Sequence, residues 1–182
     1  NVRLTPSARR IELKLVRFDE INENQYLEYI LEWEKANETI IPGASDRKGR
    51  SFIEMIEKWK ANESRHMYQE GKVPSTLYFL TENDRIIIGS LDFRYELNEQ
   101  LLVHGGHIGY GVRPTRRREG NCSLMLKTFI ETIRDKNISR VLLTCDESNI
   151  GSIKTIEKCK GILENTIEIN GKRVRRYWIG IK

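Results

Sequence analysis

The chain predicts an α/β or α+β fold, one domain with a mixed sheet of about seven strands and about four helices. Three observations carry this. Apolar residues switch repeatedly between strand-like alternation and the i, i+3, i+4 spacing of helices, in the order β-α-α-β-β-β-α-β-α-β-β. Residues 108–133 run from an alternating segment (Ile108, Tyr110, Val112) through a basic turn into a helical stripe of Cys122, Met125, Leu126, Phe129, Ile130 and Ile133. Asn170-Gly171, between two apolar runs, is a strong hairpin signal.

The 182 residues, 38% hydrophobic, suffice for one compact core. Residues 1–10 read as a flexible lead-in and residues 11–182 as the domain. Ile11, Leu13 and Leu15 alternate with Glu12 and Lys14 as a first strand. A helix follows over 19–37, with Asp19 as its N-cap and Tyr26, Leu27, Ile30, Leu31 and Trp33 on one face. Residues 38–50 carry Pro42, Gly43, Ser45, Asp46 and Gly49 and form a long loop, a common place for a lid or binding element. A second helix starts at Ser51. Strands over 76–81 and 85–95 flank Glu82-Asn83-Asp84 as a hairpin, and the polar stretch 96–100 leads to a strand over 104–113. After the helix from Gly120 come a strand over 140–144 and a helix capped within 146–149, with Ile150, Ile153 and Ile156 as its apolar side. Strands over 162–169 and 173–181 close the chain.

Charge and composition exclude several classes. The net charge is +5, but 26 acidic residues are interspersed among 31 basic ones, so a mixed solvated surface is expected rather than a nucleic-acid-binding one. No apolar run approaches the ~18–20 residues of a membrane span, and no apolar signal core opens the sequence, so a cytoplasmic location is expected. Cys122, Cys145 and Cys159 are scattered, which fits a reducing compartment, small buried thiols and no metal.

The turn before the second half of the chain has a physical meaning of its own. A helix N-terminus presents unpaired N–H groups and the positive end of a dipole, and a basic, glycine-containing turn lets an anion approach them. Arg117-x-x-Gly120-x-Cys122 at this strand-to-helix turn, preceded by Gly-Val-Arg-Pro and followed by Asn149-x-x-Ser152, resembles the GNAT superfamily of acyl-CoA N-acyltransferases. That superfamily's pattern is Gln/Arg-x-x-Gly-x-Gly/Ala, from which Cys122 departs while staying small. Residues 105–114, the run ending at Asn149 and residues 175–179 resemble a bacterial branch described as predicted acetyltransferases, and the element order matches from about residue 11 to 181.

The resemblance implies a GNAT-like fold and acetyl-CoA as cosubstrate. It places the pyrophosphate on the turn amides of Arg117, Arg118, Gly120, Asn121, Cys122 and Ser123. The pantetheine arm then runs along the strand at Val112, and Asn149 and Ser152 contact the arm or the acetyl end. Asn149 and Ser152 read equally well as capping residues. Many members carry a general-acid tyrosine where this chain has Ile156, so the proton donor must come from elsewhere. Candidates for acid and base are His107, Tyr110 and Tyr177, with His104 and Asp146 behind them. His107 also reads as a structural histidine bonded within the sheet, and the two tyrosines as core aromatics. The expected reaction is direct attack of a small-molecule primary amine on acetyl-CoA. A non-catalytic acyl-CoA-binding or sensing module is the alternative. Nucleic acid and membrane are not expected partners, and exposed C-terminal strands could support a homodimer.

Overall fold

The computed structural model describes residues 11–181, so the lead-in expected over residues 1–10 lies outside the described residues. Strands β1 (Leu13–Arg17), β2 (Ser75–Glu82), β3 (Ile86–Arg94) and β4 (Ile108–Val112) form one antiparallel sheet in that order. Strands β5 (Arg140–Asp146), β6 (Ile162–Ile169) and β7 (Lys172–Gly180) form a second, ordered β5-β7-β6. The seven strands thus make two sheets rather than one continuous mixed sheet. The hairpin turns are as expected: Asn83 and Asp84, and Asn170 and Gly171, all adopt positive φ, the geometry that matches strand twist.

Helices cover both faces. On one lie α1 (Glu23–Lys35) and α2 (Phe52–Asn62), closing a core of Phe18, Tyr26, Tyr29, Trp33, Trp59 and Phe79. On the other lie α4 (Asn121–Thr132) and α5 (Ile150–Lys158), over Leu91, Phe93, Ile108, Met125, Phe129 and Ile156. Each fully buried aromatic or branched side chain contributes roughly 1.5–3 kcal/mol, so both layers are strongly held. A short helix, α3 (Glu99–Val103), interrupts the stretch read from sequence as polar linker and strand. Asn98 caps it by accepting from Leu101 N–H at 2.9 Å, and Gly105 and Gly106 at positive φ end it. Consequently β4 begins at Ile108, and His104 and His107 precede it.

Two further expectations are corrected. The N-cap of α1 is Asn22, not Asp19: Asn22 and Gln25 exchange side-chain and main-chain bonds of 2.8 and 3.1 Å, while Asp19 sits in a preceding single turn, Phe18–Glu20. Ile150, the first residue of α5, does not join its apolar side: it is 55% exposed, whereas Ile153 and Ile156 are buried. The loop over 38–50 and the Ser51 cap of α2, with Glu54 completing its capping box, match the reading.

Candidate active site

The two sheets meet at one point and then part. His107 N–H donates to Leu142 O at 2.8 Å, Leu142 N–H donates to His107 Nδ1 at 2.9 Å, and Gly105 N–H donates to Thr144 Oγ1 at 2.9 Å. Beyond them β4 and β5 diverge. Bonds from Arg94 N–H to His107 O and from Arg113 N–H to Ile88 O set the phase of the β3–β4 ladder. Gly109 and Gly111 therefore bond to β3, and the main-chain groups of Ile108, Tyr110 and Val112 point into the gap. A strand edge held open this way offers alternating donors and acceptors to an extended amide chain.

The gap leads to the basic turn. Gly120, at φ +83°, precedes α4, and the main-chain N–H groups of residues 117–123 have no partner among the described residues. Unpaired main-chain donors at a helix mouth are groups that an anion can engage. The side chains around it are occupied. Arg116 pairs with Glu82 at 2.7 Å and Glu119 at 2.9 Å. Arg117 pairs with Glu38 at 2.6 Å, lies over the Trp33 ring at 5.0 Å and donates from Nε to Val112 O at 3.1 Å. Its guanidinium also holds the Glu38 carboxyl below its usual range. Arg118, exposed and at φ +63°, makes no salt bridge among the described residues. Asn121 spends its side chain inside the turn, on Arg116 O at 2.9 Å. Ser123 is buried, and Cys122 is half-buried with its thiol pushed up to about 11 by burial.

A cavity of about 650 Å³ opens where the gap widens, lined by Gly109, Tyr110, Cys145, Asp146, Asn149 and Ser152 among others. Tyr110 reaches across it: its hydroxyl lies 2.8 Å from Ser152 Oγ on α5. Burial drives the Tyr110 hydroxyl well above its ordinary pKa, so it stays protonated and can donate. Asn149 Oδ1 accepts from Ser152 N–H at 3.0 Å and so caps α5 while lining the cavity. Burial likewise raises the Cys145 thiol, against a nucleophilic role. Asp146 makes no salt bridge among the described residues. Ile156, at the position where the tyrosine of many GNAT members falls, is fully buried.

The other side of β4 faces the long loop. A Cβ on Gly111 would lie 2.1 Å from Ile41 O, and one on Gly109 would lie 3.3 Å from Arg94 Nη2 and 3.4 Å from Pro42. The glycines let the loop and Arg94 lie directly on the strand. Arg94 donates to Gly105 O and Gly106 O, each at 3.1 Å, and pairs with Asp92 at 3.2 Å. Asp92 is buried, its pKa raised by burial first and lowered less by Arg94, and its Oδ1 has no partner among the described residues. Both residues line a smaller chamber of about 220 Å³ beside the main cavity, and Arg94 lines both spaces. Sequence reading passed over this pair. Its one signal was two charged residues, Asp92 and Arg94, at alternate positions among the apolar residues Leu91, Phe93 and Tyr95.

The three sequence candidates for acid–base work are not brought together. Tyr110 lines the cavity. His107 sits at the meeting point of the sheets, its Nδ1 already an acceptor and its pKa lowered to about 4, by burial first and then by Arg94. Tyr177 has a buried ring on β7, and its hydroxyl emerges between Glu157, at 3.2 Å, and Arg175, at 3.5 Å. It does not line the cavity. His104 is exposed at the rim. No helix is long and apolar enough to cross a membrane, and no cluster of metal-ligating side chains occurs among the described residues.

Comparison with solved structures gives the same architecture. The ribosomal-protein-S5-alanine acetyltransferase of Vibrio fischeri superposes with a TM-score of 0.66 at 13% identity, over 97% of this chain and 96% of that one. RimL, a ribosomal L7/L12 α-N-protein acetyltransferase in complex with coenzyme A, gives 0.63 at 17% identity, over 93% and 94%. A dodecameric spermidine N-acetyltransferase of Vibrio cholerae gives 0.59 at 15%, over 92% and 93%. At these identities the likeness concerns the fold. No match is found among curated protein sequences. The family profile of the acetyltransferase (GNAT) domain matches residues 12–161, and with the fold, the open strand edge and the amide-lined turn in agreement, the chain belongs to the GNAT acetyltransferase family.

Proposed function

We propose that the protein transfers the acetyl group of acetyl-CoA to a primary amine of a small molecule by direct attack. The observation that carries this is the continuity of three features. The amide-lined turn at 117–123 suits the pyrophosphate, the edge of Ile108, Tyr110 and Val112, on which Arg117 takes the Val112 carbonyl, suits the pantetheine arm, and the cavity beyond holds Tyr110 and Ser152.

In this reading the neutral amine enters from the side of the 38–50 loop and attacks the thioester carbonyl. Main-chain N–H groups near Val112 stabilise the tetrahedral oxyanion. On collapse the C–S bond breaks, and the thiolate takes the Tyr110 hydroxyl proton. Ser152, paired with that hydroxyl, keeps it oriented, and solvent restores the proton. Asp146, in the cavity wall, accepts the proton that the attacking nitrogen sheds as the amide forms, directly or through water. Tyr110 thus supplies from β4 the hydroxyl that many GNAT members supply from the helix at the position of Ile156. A retained, unreactive acyl-CoA site is the competing account, and the Tyr110–Ser152 pair in the cavity favours catalysis over it.

The test incubates the protein with acetyl-CoA and a panel of amino acids, polyamines, aminoglycosides and short peptides, following free CoA thiol. Amine-dependent thiol release with a non-peptide acceptor supports the proposal. Release with peptides alone would replace the acceptor class. CoA binding without any release would favour the sensing module.

A further inference from the structure

The point where the two sheets part is held by a side chain, and its role rests on the reading of the gap as the seat of the cofactor arm. In a regular ladder the N–H of Leu142 would end on a main-chain carbonyl of the neighbouring segment. The carbonyl of His107 is turned toward β3, where it accepts from Arg94 N–H at 2.8 Å. The imidazole stands in instead, and Nδ1 receives Leu142 N–H at 2.9 Å while His107 N–H closes the rung on Leu142 O at 2.8 Å. The next residue, Ile108, has no side-chain acceptor with which to repeat the exchange, and the ladder stops.

Neighbouring contacts keep this rung in place. Gly106, at φ +62°, would put a Cβ 2.4 Å from Leu142 O, so glycine alone allows the approach. Arg94 grips the carbonyls of Gly105 and Gly106 from the β3 side. Trp178 stands edge-on to the imidazole at 6.2 Å and carries the Arg140 guanidinium at 4.1 Å.

We infer that His107 is a positioning residue: its imidazole ends the β4–β5 ladder at a fixed rung and thereby sets where, and how widely, the gap for the cofactor arm opens. The neutral ring accepts at Nδ1 and therefore carries its proton on Nε2. It has no lone pair left to take a proton from an amine, which separates this role from that of a general base.

The test compares His107→Asn, whose Oδ1 preserves an acceptor, with His107→Ala. The readouts are CoA affinity by calorimetry, kcat and KM, the pH–rate profile, and exchange of the Leu142 amide in the ligand-free protein. His107→Asn is expected to keep CoA affinity and the wild-type pH profile. His107→Ala is expected to lose roughly tenfold in CoA affinity, to raise KM for acetyl-CoA by about the same factor with little change in kcat, and to expose the Leu142 amide to faster exchange. Loss of turnover in His107→Asn together with the acidic limb of its profile, which reports deprotonation of a base, would overturn the inference in favour of a base. Wild-type CoA affinity in His107→Ala would overturn it outright. Should the alanine variant fail to fold, rapid exchange of Leu142 in the wild-type protein overturns the inference by itself. A wild-type protein that protects Leu142 yet binds no CoA overturns instead the cofactor reading on which the role depends.

Discussion

The hydroxyl of Tyr110 lies 2.8 Å from Ser152 Oγ, tying β4 to the first turn of α5 across the mouth of the cavity. Replacing Tyr110 by Phe removes the proposed proton donor and leaves the ring in place. The expected result is a fall in kcat of about 10²-fold or more, the usual weight of a general acid, with CoA affinity unchanged. Steady-state kinetics with calorimetry checks this, and an unaltered kcat would remove Tyr110 from the chemistry.

Gly120 holds φ +83° with open space around the position of a Cβ. A Gly120→Val variant therefore suffers backbone strain and a blocked approach to the turn amides rather than a clash within the protein. At least a tenfold loss of CoA affinity is expected, with a stability cost on the order of 1–2 kcal/mol. Calorimetric titration and thermal unfolding separate the two, and unchanged affinity would show that the turn holds no phosphate.

Gly111 presents the opposite situation, since a Cβ there would lie 2.1 Å from Ile41 O. Gly111→Ala must displace the segment around Ile41 and Pro42. On the proposed entry side this raises KM for the amine severalfold while acetyl-CoA affinity stays near wild type, as read from initial-rate kinetics over both substrates. Equal effects on both would place the loop against the cofactor instead.

His107 links the site to stability. Its pKa falls from 6.5 to about 4 on folding, through burial and then Arg94. Between those values the unfolded chain binds a proton that the folded one does not, so stability rises with pH across the window. The contribution is complete above about pH 6.5 and drains away as pH falls toward 4. Urea unfolding from pH 7.5 to 4.5 is expected to cost the wild type more stability than His107→Asn, and equal losses would contradict a neutral, bonded imidazole.

Much of this arrangement was legible in the residues. Asn170-Gly171 announced its hairpin and Ser51 its helix, because local turn and cap chemistry decides both. The stripe from Cys122 to Ile133 announced α4, and the residues of the turn pointed to an anion site. What escaped was set by contacts distant in sequence. The Asp92–Arg94 pair reads as an interruption of an apolar strand until the carbonyls of Gly105 and Gly106 are brought beside it. Helix α3 is only five residues long, too short to show a helical period. The alternation of His104 to Arg113 concealed that Gly105 and Gly106 turn the chain and that β4 starts only at Ile108. His107 offered both a structural and a catalytic reading, and its bond to Leu142, 35 positions away, is visible only in the fold.

The most direct measurement is a crystal structure with coenzyme A bound. The account predicts the pyrophosphate on the main-chain N–H groups of residues 117–123, the pantetheine amides along Ile108 to Val112, and the sulfur within about 3–3.5 Å of the Tyr110 hydroxyl. Phosphates bound elsewhere, or a sulfur on the far side of β4 from Tyr110, would contradict it.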